Sequence, residues 1–121
     1  DGCSYAGGLR ATAEHVAGAL GVQDFVSAWQ SAGRTPDPWW GPSLEDVIAE
    51  LAAGGRRAVV VVPAGFVADH LEILYDLDVE ARAIAEQSGM RLVRTEMPNA
   101  DPAFVHVLAD VVREQLSAPR T

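Results

Sequence analysis

Ala58-Val59-Val60-Val61-Val62-Pro63-Ala64-Gly65-Phe66 is the stretch on which the reading of the fold turns. Val59 to Val62 are β-branched, and the run from Ala58 is unbroken by any polar residue. A strand apolar on both faces suits the middle of a parallel sheet covered by helices, and the run is far too short to span a bilayer. Pro63 to Phe66 turns the chain. Upstream, Ser43 with Asp46 three residues on resembles a capping box, with Asp in place of the usual Glu. Val47, Ile48 and Leu51 then form a helical face that stops at Gly54-Gly55. Downstream, a long helix is predicted from about Ala68 to Gln87, ended by Gly89, and a strand over Met90 to Arg94. Asp101-Pro102 starts a last helix, because Asp caps and Pro is tolerated at the first position. Its apolar stripe is Phe104, Val105, Leu108, Val112 and Leu116. Near the start, Leu9, Ala13, Val16 and Leu20 predict a helix over 5–20 with Gly21 as its stop, and Phe25 to Trp29 reads as a short strand. The order α-β-α-β-α-β-α predicts an α/β fold in three layers, a parallel sheet of at least three strands with helices on both faces.

The length, 121 residues, is one domain's worth of chain. Hydrophobic residues at 49% and charged residues at 21% are the balance of a globular protein. Asp and Glu number 17 against 9 basic residues, all Arg, for a net charge of -8. That balance argues against nucleic acid or an anionic membrane surface as the main partner. Cys3 is the only cysteine, so no intrachain disulfide and no CxxC metal site exists, and a reducing cytoplasmic compartment fits. Neither a signal peptide nor a membrane-spanning segment is visible. The first residue is Asp1 rather than Met, in the loop-like Asp1-Gly2-Cys3-Ser4, which predicts a piece of something longer.

Five of the 17 acids fall between residues 69 and 80: Asp69, Glu72, Asp76, Asp78 and Glu80. Glu72, Asp76 and Glu80 recur every four residues, which on a helix makes one stripe of carboxylates. Like charges at that spacing cost about 0.2–0.5 kcal/mol per pair. A solvated face explains Asp69 and Glu72, since acids favour a helix N-terminus. It does not explain Asp76 and Glu80, which lie past the first turn. The other reading is a track for a divalent cation, because carboxylate oxygens are hard ligands suited to Mg²⁺, Mn²⁺ or Fe²⁺. The stripe begins just after the carboxyl end of the central strand, where open α/β sheets bind ligands. His70 lies beside Glu72, but on a regular helix the two face about 200° apart, too far to grip one metal. In the Pro-rich loop over 31–42, Trp39 and Trp40 could stack on a flat ligand or plug the domain edge. His15, and His106 with Asp110, read as surface groups, and Arg56-Arg57 complements a helix end. No GxGxxG, P-loop, GxSxG or HExxH pattern occurs.

Three stretches resemble ferrochelatase. They are Trp29-Gln30-Ser31-Ala32-Gly33-Arg34-Thr35-Pro36-Asp37-Pro38-Trp39, then Val61-Val62-Pro63-Ala64-Gly65-Phe66-Val67-Ala68-Asp69-His70-Leu71-Glu72-Ile73-Leu74-Tyr75-Asp76, then Met97-Pro98-Asn99-Ala100. Order and spacing match over essentially the whole chain. The loop at 29–38 and Glu96 to Ala100 look most like the Gram-positive type, whose substrate is usually coproporphyrin III.

The resemblance implies Fe²⁺ insertion into a porphyrin, coproporphyrin III or protoporphyrin IX, in haem synthesis. It implies Fe²⁺ as substrate, no organic cofactor and a cytoplasmic enzyme without stable membrane insertion. It also implies two similar α/β lobes with the porphyrin between them. By that likeness residues 1–121 are the C-terminal lobe, incomplete at its N-terminus, and the helix over 101–116 packs toward the absent first lobe. Glu72 corresponds to the family's catalytic, metal-binding Glu. Asp76 and Glu80 fall where further acids form a metal or proton path, and Trp39 borders the porphyrin cleft. Trp40 stands where the family usually has Leu. The family's catalytic His lies on a Ser-Ala-His-Ser strand shortly before the position of Tyr5, so none of His15, His70 or His106 takes its place. An iron–sulfur cluster, present in some relatives, has no ligands here beyond Cys3. Two further readings stand beside this one: a non-catalytic metal- or tetrapyrrole-binding half-domain, and a chelatase for another tetrapyrrole or metal.

Overall fold

A computed structural model of the chain describes residues 4–30 and 40–118. Helix α1 runs Ser4–Leu20 and stops at Gly21, whose φ of 67° a side chain would oppose. Of its residues only Ala17 is buried, while Val16 and Leu20 of the expected stripe are exposed. Residues 22–28 form no regular structure, so the strand expected over Phe25–Trp29 is absent. A strand exists through its ladder, and here Trp29 alone pairs, in an isolated parallel bridge to Ser43. Trp29 N donates to Pro42 O at 2.9 Å and Leu44 N to Trp29 O at 2.9 Å.

Helix α2 runs Leu44–Ala53. Ser43 caps it as expected, its Oγ accepting from Asp46 N at 3.1 Å. Leu44, Val47 and Ile48 are its buried positions. Strands β1 (Ala58–Val61) and β2 (Arg91–Arg94) pair in parallel, with Val59 opposite Leu92 and Val61 opposite Arg94. The sheet among the described residues therefore has two strands, not three. Nor is β1 covered on both faces. Val59 and Val61 turn toward the core, whereas Val60 on the other face is 65% exposed and its neighbour Val93 is exposed too. Its β-branched composition anticipated the strand; the second covering layer is not made by the described residues.

The segment between the strands is helical from Leu71 to Gln87, as expected, but its winding is not uniform. Ile73–Ala81 is a nine-residue π-helix, continued as helix α3 over Arg82–Gln87. Hydrogen bonds from i to i+5 wind a π-helix more loosely than an α-helix, and most examples are a single turn. The looser winding sorts the side chains. Residues seven apart on an α-helix return to within about 20° of one face. Here Ile73 is fully buried and Glu80 exposed, Ala81 is buried and Leu74 exposed, and Asp78 is half-buried while Leu71 is 79% exposed. Instead the buried positions recur every four residues, at Ile73, Leu77, Ala81 and Ala85. With Leu44, Ile48, Met90, Leu92 and Met97 they make the core. Gly89, with φ of 72°, turns the chain into β2. Helix α4 (Pro102–Ser117) begins on Asp101, whose Oδ1 accepts from Ala103 N at 2.8 Å, and it buries no residue.

Candidate functional site

The carboxyl ends of both parallel strands open on one edge of the core. The loop after β1 turns at Pro63–Phe66, where Phe66 N donates to Pro63 O at 3.2 Å. A Cβ on Gly65 would lie 3.3 Å from Tyr5 Oη and 3.9 Å from Leu9, so α1 packs close against this turn and glycine permits it. The Tyr5 ring stacks on Trp40 (centroids 6.4 Å apart), and Trp40 meets Trp29 edge to face at 4.8 Å. An aromatic row thus runs from the start of α2 to the turn at the end of β1. Trp40 is the described loop tryptophan in this row; Trp39 lies outside the described residues.

Glu72 stands in the first helical turn and is exposed. Asp76 is half-buried and Glu80 exposed, both in the π-helix. A four-residue step overshoots one α-helical turn by about 40° and falls short of one π-helical turn by a similar amount, so the three acids stay near one side of the helix. They form a row rather than a cage. Among the described residues no three His, Cys, Asp or Glu side chains come together closely enough to hold one metal ion. His70 precedes the helix with its ring edge-on to Phe66 at 4.4 Å. Its Nε2 is buried without a hydrogen-bond partner among the described residues. His15 and His106 are surface groups as expected, each Nδ1 against a backbone carbonyl four residues back (2.7 Å to Ala11 O, 2.6 Å to Pro102 O). Asp110 pairs with Arg113 at 2.6 Å rather than with His106.

The other two acids of the cluster have a different task. Arg94, the last residue of β2, forks onto Asp78, Nε to Oδ1 and Nη2 to Oδ2, both at 2.8 Å. Its Nη1 lies 3.2 Å from Asp69 Oδ1 and donates to Thr95 O at 3.1 Å. The hydrogen bonds from Arg94, and then the charges of Arg94 and Arg82, hold the Asp78 carboxyl below the usual carboxylate range despite some burial. Asn99 closes the arrangement. Its Nδ2 donates to Asp69 Oδ2 at 2.9 Å, and its Oδ1 accepts from Asp69 N at 2.9 Å. Asn99 holds a φ of 48°, a conformation that Asn tolerates better than most residues. Asp69 is therefore not simply a helix-end acid on a solvated face. Arg94 and Asn99 knit the loops after β1 and β2 together, through contacts to Asp69 and Asp78 that are remote in sequence.

Among the described residues no helix is long and apolar enough to cross a membrane. Residues 1–116 match the family described as ferrochelatase. A coproporphyrin III ferrochelatase of Geobacillus thermodenitrificans (strain NG80-2) is 45% identical over 117 residues, covering 96% of this chain and 37% of the relative. That of Anoxybacillus flavithermus (strain DSM 21510 / WK1) is 46% identical over 116 residues, with 95% and 37% covered. That of Bacillus subtilis (strain 168) is 45% identical over 116 residues, with the same coverage of 95% and 37%. The chain thus spans about 37% of the length of these relatives.

Proposed function

Because this chain belongs to the ferrochelatase family, we propose that it is the C-terminal part of a cytoplasmic enzyme that inserts Fe²⁺ into a porphyrin. Coproporphyrin III, named in the similar proteins, is the substrate of this reading, and no organic cofactor takes part. Two pyrrole N–H protons must leave as the metal enters, so the site needs a base and a route for cations. Glu72 takes the proton-accepting and metal-coordinating role together with a His supplied by chain outside residues 1–121. Asp76 and Glu80 carry hydrated Fe²⁺ or protons along the row. Trp39 borders the porphyrin, a role supported by its place in sequence beside Trp40, whose ring joins Trp29 and Tyr5 in an aromatic row. The bare face of the sheet and the apolar stripe of α4 are covered by the remainder of the protein, which completes a three-layer lobe and its contact with the first.

The observation that carries this reading is the row of Glu72, Asp76 and Glu80 along one helix, begun just beyond the carboxyl end of β1. Glu72→Gln in a full-length protein carrying this sequence should nearly abolish iron insertion while leaving porphyrin binding, read by absorbance and fluorescence titration. Unchanged insertion kinetics would sink the assignment. Asp76→Asn and Glu80→Gln should slow insertion more mildly and raise the Fe²⁺ concentration needed for half-maximal rate. A second reading, a metal- or tetrapyrrole-binding half-domain without turnover, draws on the chain's covering 37% of its relatives. It predicts porphyrin or metal binding by the isolated chain with no insertion, even when the rest of a ferrochelatase is supplied.

A further inference from the structure

Arg94 is 13% exposed and binds one carboxylate on either side of the acidic row's first member. Asp69 lies just before the helix begins, and Asp78 lies inside the π-helix. We propose that Arg94 is a positioning residue for metal insertion: its fork on Asp78 selects the π-winding of residues 73–81 and so sets where Glu72, Asp76 and Glu80 stand. The proposal rests on the chelatase reading above and adds to it a residue outside the acidic row.

The geometry distinguishes the two windings. On a continuous α-helix, residue 78 would face the same side as Leu71, which is 79% exposed. Asp78 would then turn toward solvent, away from the half-buried end of β2 where the guanidinium sits. The same rewinding would carry Glu80 onto the face of Ile73, which is fully buried, and would swing the last acid of the row into the core. The fork is compatible with the row only in the π-winding. A bidentate fork is also directional, since both carboxylate oxygens must meet two parallel N–H groups. Arg94 is in turn held from behind: Nη1 reaches Asp69 and Thr95 O, and Asp69 is held on its second oxygen by Asn99. Because π-helices are rare and usually one turn long, a nine-residue example calls for a tertiary determinant, and Arg94 supplies one from a neighbouring strand.

The test uses a full-length protein carrying this sequence, with Arg94→Met, Arg94→Lys and Asp78→Asn. Thermal melting and porphyrin affinity establish that each variant is folded. Misplacement of catalytic groups by about 1 Å can cost on the order of a hundredfold in rate. Arg94→Met and Arg94→Lys should each lower kcat for iron insertion at least tenfold, with the KM for porphyrin changed less than twofold. Lys keeps the charge and loses the fork, so it should not rescue. The decisive readout is coupling: once Arg94→Met has displaced the row, adding Glu80→Gln should lower kcat by less than twofold further. Multiplicative losses, full activity in Arg94→Lys, or an unchanged kcat in folded Arg94→Met would each overturn the proposal. Should Arg94→Met fail to fold, Asp78→Asn in the same coupling measurement decides by the same criterion. If Glu72→Gln were also fully active, the chelatase reading itself would fall and this proposal with it. Activity lost in Glu72→Gln but kept in Arg94→Met would defeat only the present inference.

Discussion

Asp78 accepts both arms of a guanidinium, and its carboxyl is held below its ordinary range mainly by those hydrogen bonds. The pH dependence follows from that direction. A depressed carboxylate contributes stability that is present above the unfolded value, about 3.9, and is lost as pH falls through the folded value beneath it. Asp78→Asn should therefore flatten the fall of stability with acid below about pH 4. At neutral pH it should cost about 1.5–3 kcal/mol, the worth of hydrogen bonds to a charged partner. Urea midpoints measured from neutral pH into the acid range check both, and an unchanged acid slope would contradict the pairing. Asn99 offers a second residue-scale test. Asn99→Gly keeps access to the φ of 48° and loses the two contacts to Asp69, whereas Asn99→Ala loses them and strains the backbone as well. Ala should be the more destabilising of the two in the same assay.

The helical segment after β1 shows at the scale of an element why only part of the fold is legible in the sequence. Ser43 and Asp101 cap their helices as read, because capping is chemistry among adjacent residues. Val59 to Val62 declare a strand by β-branching. The helix from Leu71 to Gln87 is legible as a helix and illegible as a π-helix. Its apolar residues fill two columns of period four, Leu71, Tyr75 and Val79 beside Ile73, Leu77 and Ala81. A reader assuming 3.6 residues per turn cannot tell which column is the core. Arg94 was hidden for a related reason, since its partners are remote and no local pattern announces them. Phe25 to Trp29 misled in the opposite way, because strand-forming residues make no strand without a neighbour. The winding has a direct test. Ile73→Ala and Leu77→Ala should each cost about 2–5 kcal/mol, the range for large-to-small changes in a core. Leu74→Ala and Leu71→Ala, on exposed columns, should stay within about 0.5 kcal/mol. Equal losses at Leu74 and Ile73 would contradict the π-winding.

At the scale of the whole molecule the accessible surface is 9169 Å², where a compact chain of 12.8 kDa has roughly 6,300 Å². The excess includes exposed apolar residues of the sheet face and of α4, among them Val60, Val93, Val107, Val112 and Leu116. The 121-residue chain by itself should therefore bind a hydrophobic dye such as ANS strongly and insert no iron into porphyrin. Weak dye binding by a monodisperse chain would mean that these faces find cover within it. The role proposed for Arg94 carries a consequence for assembly. A helix of this length winds in about 0.1–1 μs from local contacts alone, and nothing between Leu71 and Gln87 forbids the α form. The guanidinium that selects the looser winding arrives only when β2 docks beside β1. On the proposal made for Arg94, the acidic row takes its working shape only once the second strand has closed on it.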